Sequence, residues 1–198
     1  MEPESYEYEG RGEAQGDVRE ALILAGIAEI EENGPDRFSL RRAAAKCGVS
    51  CAAPYKHFKS KEALMDAIVS YIDEKHLLLE QHILDVFPAR DTQCLEELCL
   101  ASVRFWIGNP HFRAVRMMRR VGEEGTHLAR TAVGSVAEAV LASLCAAHRL
   151  SEEARVALFY TVRSLVTGAT LMLEDGTLEN TPDTFRMIRA SLKNALPF

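Results

Sequence analysis

No uninterrupted apolar run in this sequence approaches the roughly 18 residues that a membrane span needs, and no membrane partner is expected. The amino end opens Met1-Glu2-Pro3-Glu4-Ser5 and lacks the basic and apolar segments of a secretion leader, so a cytoplasmic protein is expected. Cysteines are few and odd in number (Cys47, Cys51, Cys94, Cys99 and Cys145), with no Cys-x-x-Cys pair. That pattern disfavours a disulfide framework or a zinc site and reads as small buried hydrophobes in a reducing compartment. His76, His82, His111, His127 and His148 are too scattered for tight metal spacing. A Gly-rich phosphate loop, Gly-x-Ser-x-Gly and His-Glu-x-x-His are all missing. Neither an enzyme nor a cofactor is expected. No segment sustains period-two alternation with β-branched enrichment, which leaves an all-α chain.

What the chain has is an uneven distribution of charge. Its net charge of −6 argues against a nucleic-acid partner, yet that sum conceals two opposite fields. Residues 1–17 hold Glu2, Glu4, Glu7, Glu9, Glu13 and Asp17 against Arg11 alone. Residues 37–61 hold Arg37, Arg41, Arg42, Lys46, Lys56, Lys59 and Lys61 and no acid. A phosphate backbone responds to the local field.

Residues 1–16, charged and poor in large apolar side chains, predict a disordered acidic tail. From Val18 the apolar residues recur at helical steps until Gly34-Pro35 stops them. Ser39 suits the N-cap of a short helix from Leu40 to Lys46, Ser50 that of a second from Cys51 to about His57, and Ser60 that of a third. The third carries Leu64, Ile68, Ile72, Leu79, Ile83 and Val86 and ends before Pro88. Further helices are predicted from Asp91 or Thr92 to Ile107, over 110–120, from Glu123 to Arg149, from Ser151 to Leu173, and from Thr181 onward.

The segment Ser39-Leu40-Arg41-Arg42-Ala43-Ala44-Ala45-Lys46-Cys47-Gly48-Val49-Ser50 has the spacing of a helix-turn-helix. Ala44 is small where the two helices approach. Gly48, four residues on, tolerates the positive φ of the turn, and Val49 can plug the angle between the helices. The following stretch, Ala52-Ala53-Pro54-Tyr55-Lys56-His57-Phe58-Lys59-Ser60-Lys61, sets Tyr55, Lys56, His57 and Lys61 as phosphate donors around the anchor Phe58. Tyr55 is also a candidate core aromatic.

Residues 18–64 resemble the DNA-binding domain of TetR-type (TetR/AcrR) transcription regulators. The resemblance rests on Ala44-Ala45-Lys46-Cys47-Gly48-Val49-Ser50, Tyr55-Lys56-His57-Phe58 and Lys61-Glu62-Ala63-Leu64. Ala43, Cys47 and Pro54 depart from the family's usual residues. The resemblance implies phosphate contacts at Ser39, Tyr55, His57 and Lys61, and positions near DNA at Arg42, Cys51, Ala52 and Lys56. Arg41 and Ser50 complete the candidate DNA-binding set. Small residues at the start of the recognition helix leave Arg42 or Lys56 to read bases, with alanine methyls meeting thymine methyls.

The expected organisation is a tail over 1–16, a three-helix DNA-binding domain over 17–63, and a helical bundle over 64–198 for ligand binding and dimerisation. The 152–173 helix is apolar on most sides. With the last helix it is predicted to pair with a second copy through Leu158, Val162, Leu165, Ala169, Phe185, Ile188 and Leu192. A homodimer implies a palindromic double-stranded operator. The resemblance also implies a pocket for a small, largely apolar effector, with Phe87, Phe105, Trp106, Phe112, Met117, Met118, Phe159 and Met172 as candidate lining. The expected function is a transcription regulator, a repressor by the family's usual mode. The alternatives are a helical protein-interaction module without DNA binding and an enzyme with no recognisable motif.

Overall fold

The computed structural model describes residues 11–110, Phe112 and 133–198. Among them every regular element is a helix. The chain divides into two compact units, residues 1–71 and 72–198.

The first unit begins with α1, Arg11–Asn33. The helix starts inside the segment predicted as a disordered tail. Glu13, Ala14 and Gln15 are good helix formers and can extend a helix that is anchored downstream. Gly34 ends α1 with φ +75°, and a 3₁₀ turn, Pro35–Arg37, leads to α2, Leu40–Lys46. Next come α3, Pro54–His57, and α4, Lys61–Val86, which continues into the second unit. The core of the first unit gathers Leu22, Ile23, Ile27 and Ile30 of α1, Phe38, Ala43, Ala44, Phe58, Leu64 and Ile68. Gly26 makes this packing possible: a Cβ there would lie 2.7 Å from Ile68 Cδ1.

The second unit adds α5 (Thr92–Gly108), α6 (Ser135–Ala147), α7 (Glu152–Glu174) and α8 (Pro182–Ala195). Asp91, Ser151 and Thr181 stand at the N-caps of α5, α7 and α8, each side chain accepting a backbone N–H. Pro182 opens α8, where a missing N–H loses no helical bond. The core joins Cys94, Leu95, Leu98 and Val103 to Ala137, Val140 and Leu141, and to Leu158, Val162, Val166, Ile188 and Leu192. Leu158, Val162, Ala169, Ile188 and Leu192, predicted at a dimer interface, are therefore buried within their own subunit. Leu165 and Phe185 pack against the same core. Helical periodicity marks an apolar stripe but does not say whether the subunit or a partner covers it. The large apolar residues that α7 leaves exposed are Val156, Tyr160, Leu171 and Met172.

A buried carboxylate closes the α6 end of this core. Glu80 of α4 accepts from the backbone N–H groups of Val136 at 3.3 Å and Ala137 at 3.0 Å, at the start of α6. Free N–H groups and the helix dipole favour a negative charge there. Gly134 leaves room for it, since a Cβ at that position would stand 2.2 Å from the Glu80 carboxyl.

Candidate nucleic-acid interface

The turn between α2 and α3 follows from the backbone needs of a helix end. Val49 N–H donates to the Ala44 carbonyl at 3.1 Å and Gly48 N–H to the Ala45 carbonyl at 3.1 Å. These nested bonds are a Schellman closure, which puts its C′ residue in the left-handed region; Gly48 has φ +69°. The turn thus uses glycine where the motif predicts it, and Ala43 and Ala44 are fully buried below it.

Caps follow two of the three serines. Ser39 Oγ accepts from Arg42 N–H at 3.4 Å and Ser60 Oγ from Ala63 N–H at 3.2 Å. Ser50 departs from its predicted role: Ala53 holds the N-cap of α3 without a side-chain bond, and residues 51–53 are turns. Pro54 is the cause, because it has no N–H to give the Ser50 carbonyl, and the first α-type bond is Phe58 N–H to the Pro54 carbonyl at 2.8 Å. The Ser50 carbonyl takes Ala53 N–H instead, at 2.9 Å.

The bases fall into two groups. Arg42 Nε donates to Glu29 Oε1 at 2.5 Å, and its guanidinium also reaches the Arg37 carbonyl. Glu29 is fully buried on α1, so Arg42, a candidate base reader, is held by its own subunit. Lys46 pairs with Glu32 of α1. In contrast, Arg37, Arg41, Lys56 and Lys59 are exposed and have no carboxylate partner among the described residues. Lys61 is exposed, with its Nζ 5.6 Å from the centroid of the Phe38 ring. Tyr55 is 62% exposed, which excludes the core role, whereas Phe58 is buried. Cys51 and Ala52 are exposed and His57 is half-buried. The arrangement is a small cationic surface on a glycine-closed turn, with donors suited to phosphate oxygens.

This geometry can be set beside known proteins. Residues 22–68 match the family described as bacterial regulatory proteins, tetR family. The amino-terminal unit carries a TetR-type domain. No curated protein matches the sequence. Among solved structures, a protein of unknown function from Rhodococcus sp. RHA1 aligns with TM-score 0.70 at 18% identity, covering 98% of this chain and 97% of that one. A TetR family transcription regulator from Marinobacter aquaeolei VT8 aligns with TM-score 0.67 at 17% identity, covering 93% and 97%. RolR, solved in complex with resorcinol, aligns with TM-score 0.58 at 15% identity, covering 94% and 91%. The TetR-type domain is thus joined to a helical unit whose fold these chains share.

The residues predicted to line an effector pocket separate into distinct places. Phe105, Trp106 and Phe112 come together, with ring centroids 5.0 Å apart for Phe105 and Trp106 and 6.3 Å for Phe105 and Phe112. Trp106 is buried. Phe87 packs on the main core, Phe159 lines an outer groove along α7, and Met172 is exposed. Met117 and Met118 lie outside the described residues. His76 joins the aromatic group unforeseen. It stacks on Phe105 at 4.7 Å, and its Nε2 lies 3.1 Å from the hydroxyl of buried Ser102. The signal was available: Leu64, Ile68, Ile72, His76 and Glu80 recur every fourth residue, so the apolar stripe of α4 continues into two buried polar groups.

Proposed function

We propose that this chain is a homodimeric transcription repressor that binds a palindromic duplex operator through α2 and α3 and leaves it when a small, largely apolar ligand enters the helical unit. The observation that carries the reading is the set of exposed cations, Arg37, Arg41, Lys56 and Lys59, that flank the glycine-closed turn and have no carboxylate partner among the described residues. Ser39, Tyr55, His57 and Lys61 supply further phosphate contacts, and Lys56 is the residue placed to read bases. The matched family is regulatory, and the enzyme alternative is set aside.

The outward face of α7 supports the homodimer. Val156, Tyr160 and Leu171 are exposed along a groove of about 830 Å³ that also contains Ser164, Thr167 and Gly168. By length and composition α7 would suit a membrane span, with a mean hydropathy of 1.5 over its most apolar window. Its inner stripe is instead part of a protein core, and a second copy accounts for the outer one. Two recognition elements related by a twofold axis would sit one DNA turn apart, about 34–36 Å, or a multiple of it. An aromatic effector is supported by the group formed by His76, Phe105, Trp106 and Phe112, and by resorcinol in RolR.

Fluorescence anisotropy with duplexes from the DNA upstream of the chain's own gene tests the reading. A dimer bound to one palindromic duplex, released by an aromatic compound that also raises its melting temperature, is expected. No preference for any upstream duplex over random sequence overturns it.

A further inference from the structure

We propose that residues 1–10 act as an intramolecular phosphate mimic, docking on the cationic face of α2 and α3 and competing there with non-specific DNA. The proposal rests on the DNA-binding reading above. Arg42 and Lys46 are held by glutamates of α1, but Arg37, Arg41, Lys56 and Lys59 are left exposed, and no acid lies between residues 37 and 61. Residues 1–10 supply the complement: Glu2, Glu4, Glu7 and Glu9, with neither lysine nor arginine. Tyr6 and Tyr8 alternate with two of these acids and offer ring faces to arginine and lysine.

The place where this segment joins the unit makes the contact geometrically accessible. The Cys47 thiol donates to the Ala21 carbonyl at 3.1 Å, and the Arg19 guanidinium lies 5.3 Å from the Phe58 ring centroid. The stretch of α1 around Arg19 and Ala21 therefore packs beside the α2–α3 turn. From Ala21 back to Arg11, the first residue of α1, the helix rises only about 15 Å. Ten residues in extended form span up to about 33–36 Å, enough to return to Arg41 and Lys56. Tethering at this distance gives an effective concentration of order millimolar, so a weak ionic contact competes with weakly held random DNA. An operator, which adds base contacts to the phosphate contacts, displaces the segment. The result is a filter that lowers non-specific binding more than specific binding.

The test compares the full chain with its full-length E2Q/E4Q/E7Q/E9Q variant. In DNA-free protein at low salt, the amide resonances of Arg41, Lys56 and Lys59 are expected to differ between the two chains, and to converge as salt is raised. With a random-sequence duplex the variant is expected to bind about tenfold tighter at low salt, the gap closing with ionic strength. Identical amide resonances in the two free proteins overturn docking, even if the variant binds DNA more tightly, because simple repulsion of DNA by the acids would then suffice. The resonances are read without DNA. Failure of both chains to bind any duplex therefore removes the DNA-binding reading, and the competition with it, separately from a failure of the contact itself.

Discussion

Arg42 Nε lies 2.5 Å from Oε1 of Glu29, an exposed arginine holding a glutamate that water does not reach. Asn33 Nδ2 donates to the other oxygen of Glu29 at 3.1 Å. The pair ties α2 to α1 and gives Arg42 a structural role. Arg42→Ala, which leaves a buried acceptor short of a partner, should lower stability by about 1–3 kcal/mol, read as a shift of the urea midpoint. Arg41→Ala should leave the midpoint within about 0.5 kcal/mol. Equal midpoints for the two variants would contradict this division of roles.

The free cations should behave as phosphate contacts. Arg41→Ala and Lys59→Ala are each expected to weaken binding by similar factors on operator and random duplexes and to reduce the salt slope by about 1. Lys56→Ala should do the same and also relax preference at one base position. A Lys56 variant whose base preference is unchanged would restrict that residue to the backbone.

Glu80 and Gly134 depend on each other. Gly134→Ala would drive a methyl group into the Glu80 carboxylate and separate it from the N–H groups of Val136 and Ala137. A loss of about 3 kcal/mol is expected, because a buried charge loses its donors. Glu80→Gln, which keeps an acceptor oxygen of similar shape, should lose less. Denaturant titration of both variants checks the order.

The two faces of α7 should give separate phenotypes. Val162→Ala, in the subunit core, should cost about 0.5–2 kcal/mol with little effect on the protomer's self-association. Tyr160→Glu, on the outward face, should leave the fold intact and shift the sedimentation of the proposed homodimer at micromolar concentration toward monomer. If the Tyr160 variant sediments like the parent, the interface lies elsewhere.

The thiols should separate by burial. Cys51 is exposed and Cys99 is buried, and burial, with a smaller push from the charges of Glu80 and Glu96, raises the Cys99 thiol from 9.0 to about 12. A thiol reagent should label Cys51 in the folded protein and Cys99 only after unfolding. In the unfolded chain Cys99 ionises near its ordinary value, while in the folded chain it keeps its proton. Its contribution is therefore complete below about pH 9 and is lost as pH rises toward 12. Stability measured at pH 8 and pH 10 should fall less in Cys99→Ala than in the parent.

Much of the helix-turn-helix geometry was legible in residue order. Ser39, Gly48 and Ser60 act through bonds to neighbours a few positions away, so the pattern of cap and turn predicted them. Ser50 was misplaced because the missing N–H of Pro54 moves the helix start from Cys51 to Pro54. The stripe of α4 extended correctly through Ile72, but His76 and Glu80 were overlooked as parts of it because polar side chains enter a core only when distant groups meet them. Those groups are Ser102 and the start of α6.

Local spacing and charge were sufficient for an all-helical chain with a glycine-closed turn set in an acid-free basic stretch. Periodicity, capping and turn conformation are properties of adjacent residues, and they survive in any context that permits a helix. Which cations remain free, and which apolar stripe of α7 faces outward, depended on side chains far apart in sequence. Arg42 lost its freedom to Glu29, thirteen residues earlier, and Val162 and Leu192 turned inward because α5 packs against the helices that carry both. An ion pair or a packed face exists only once two distant segments meet, and only the folded chain records that meeting.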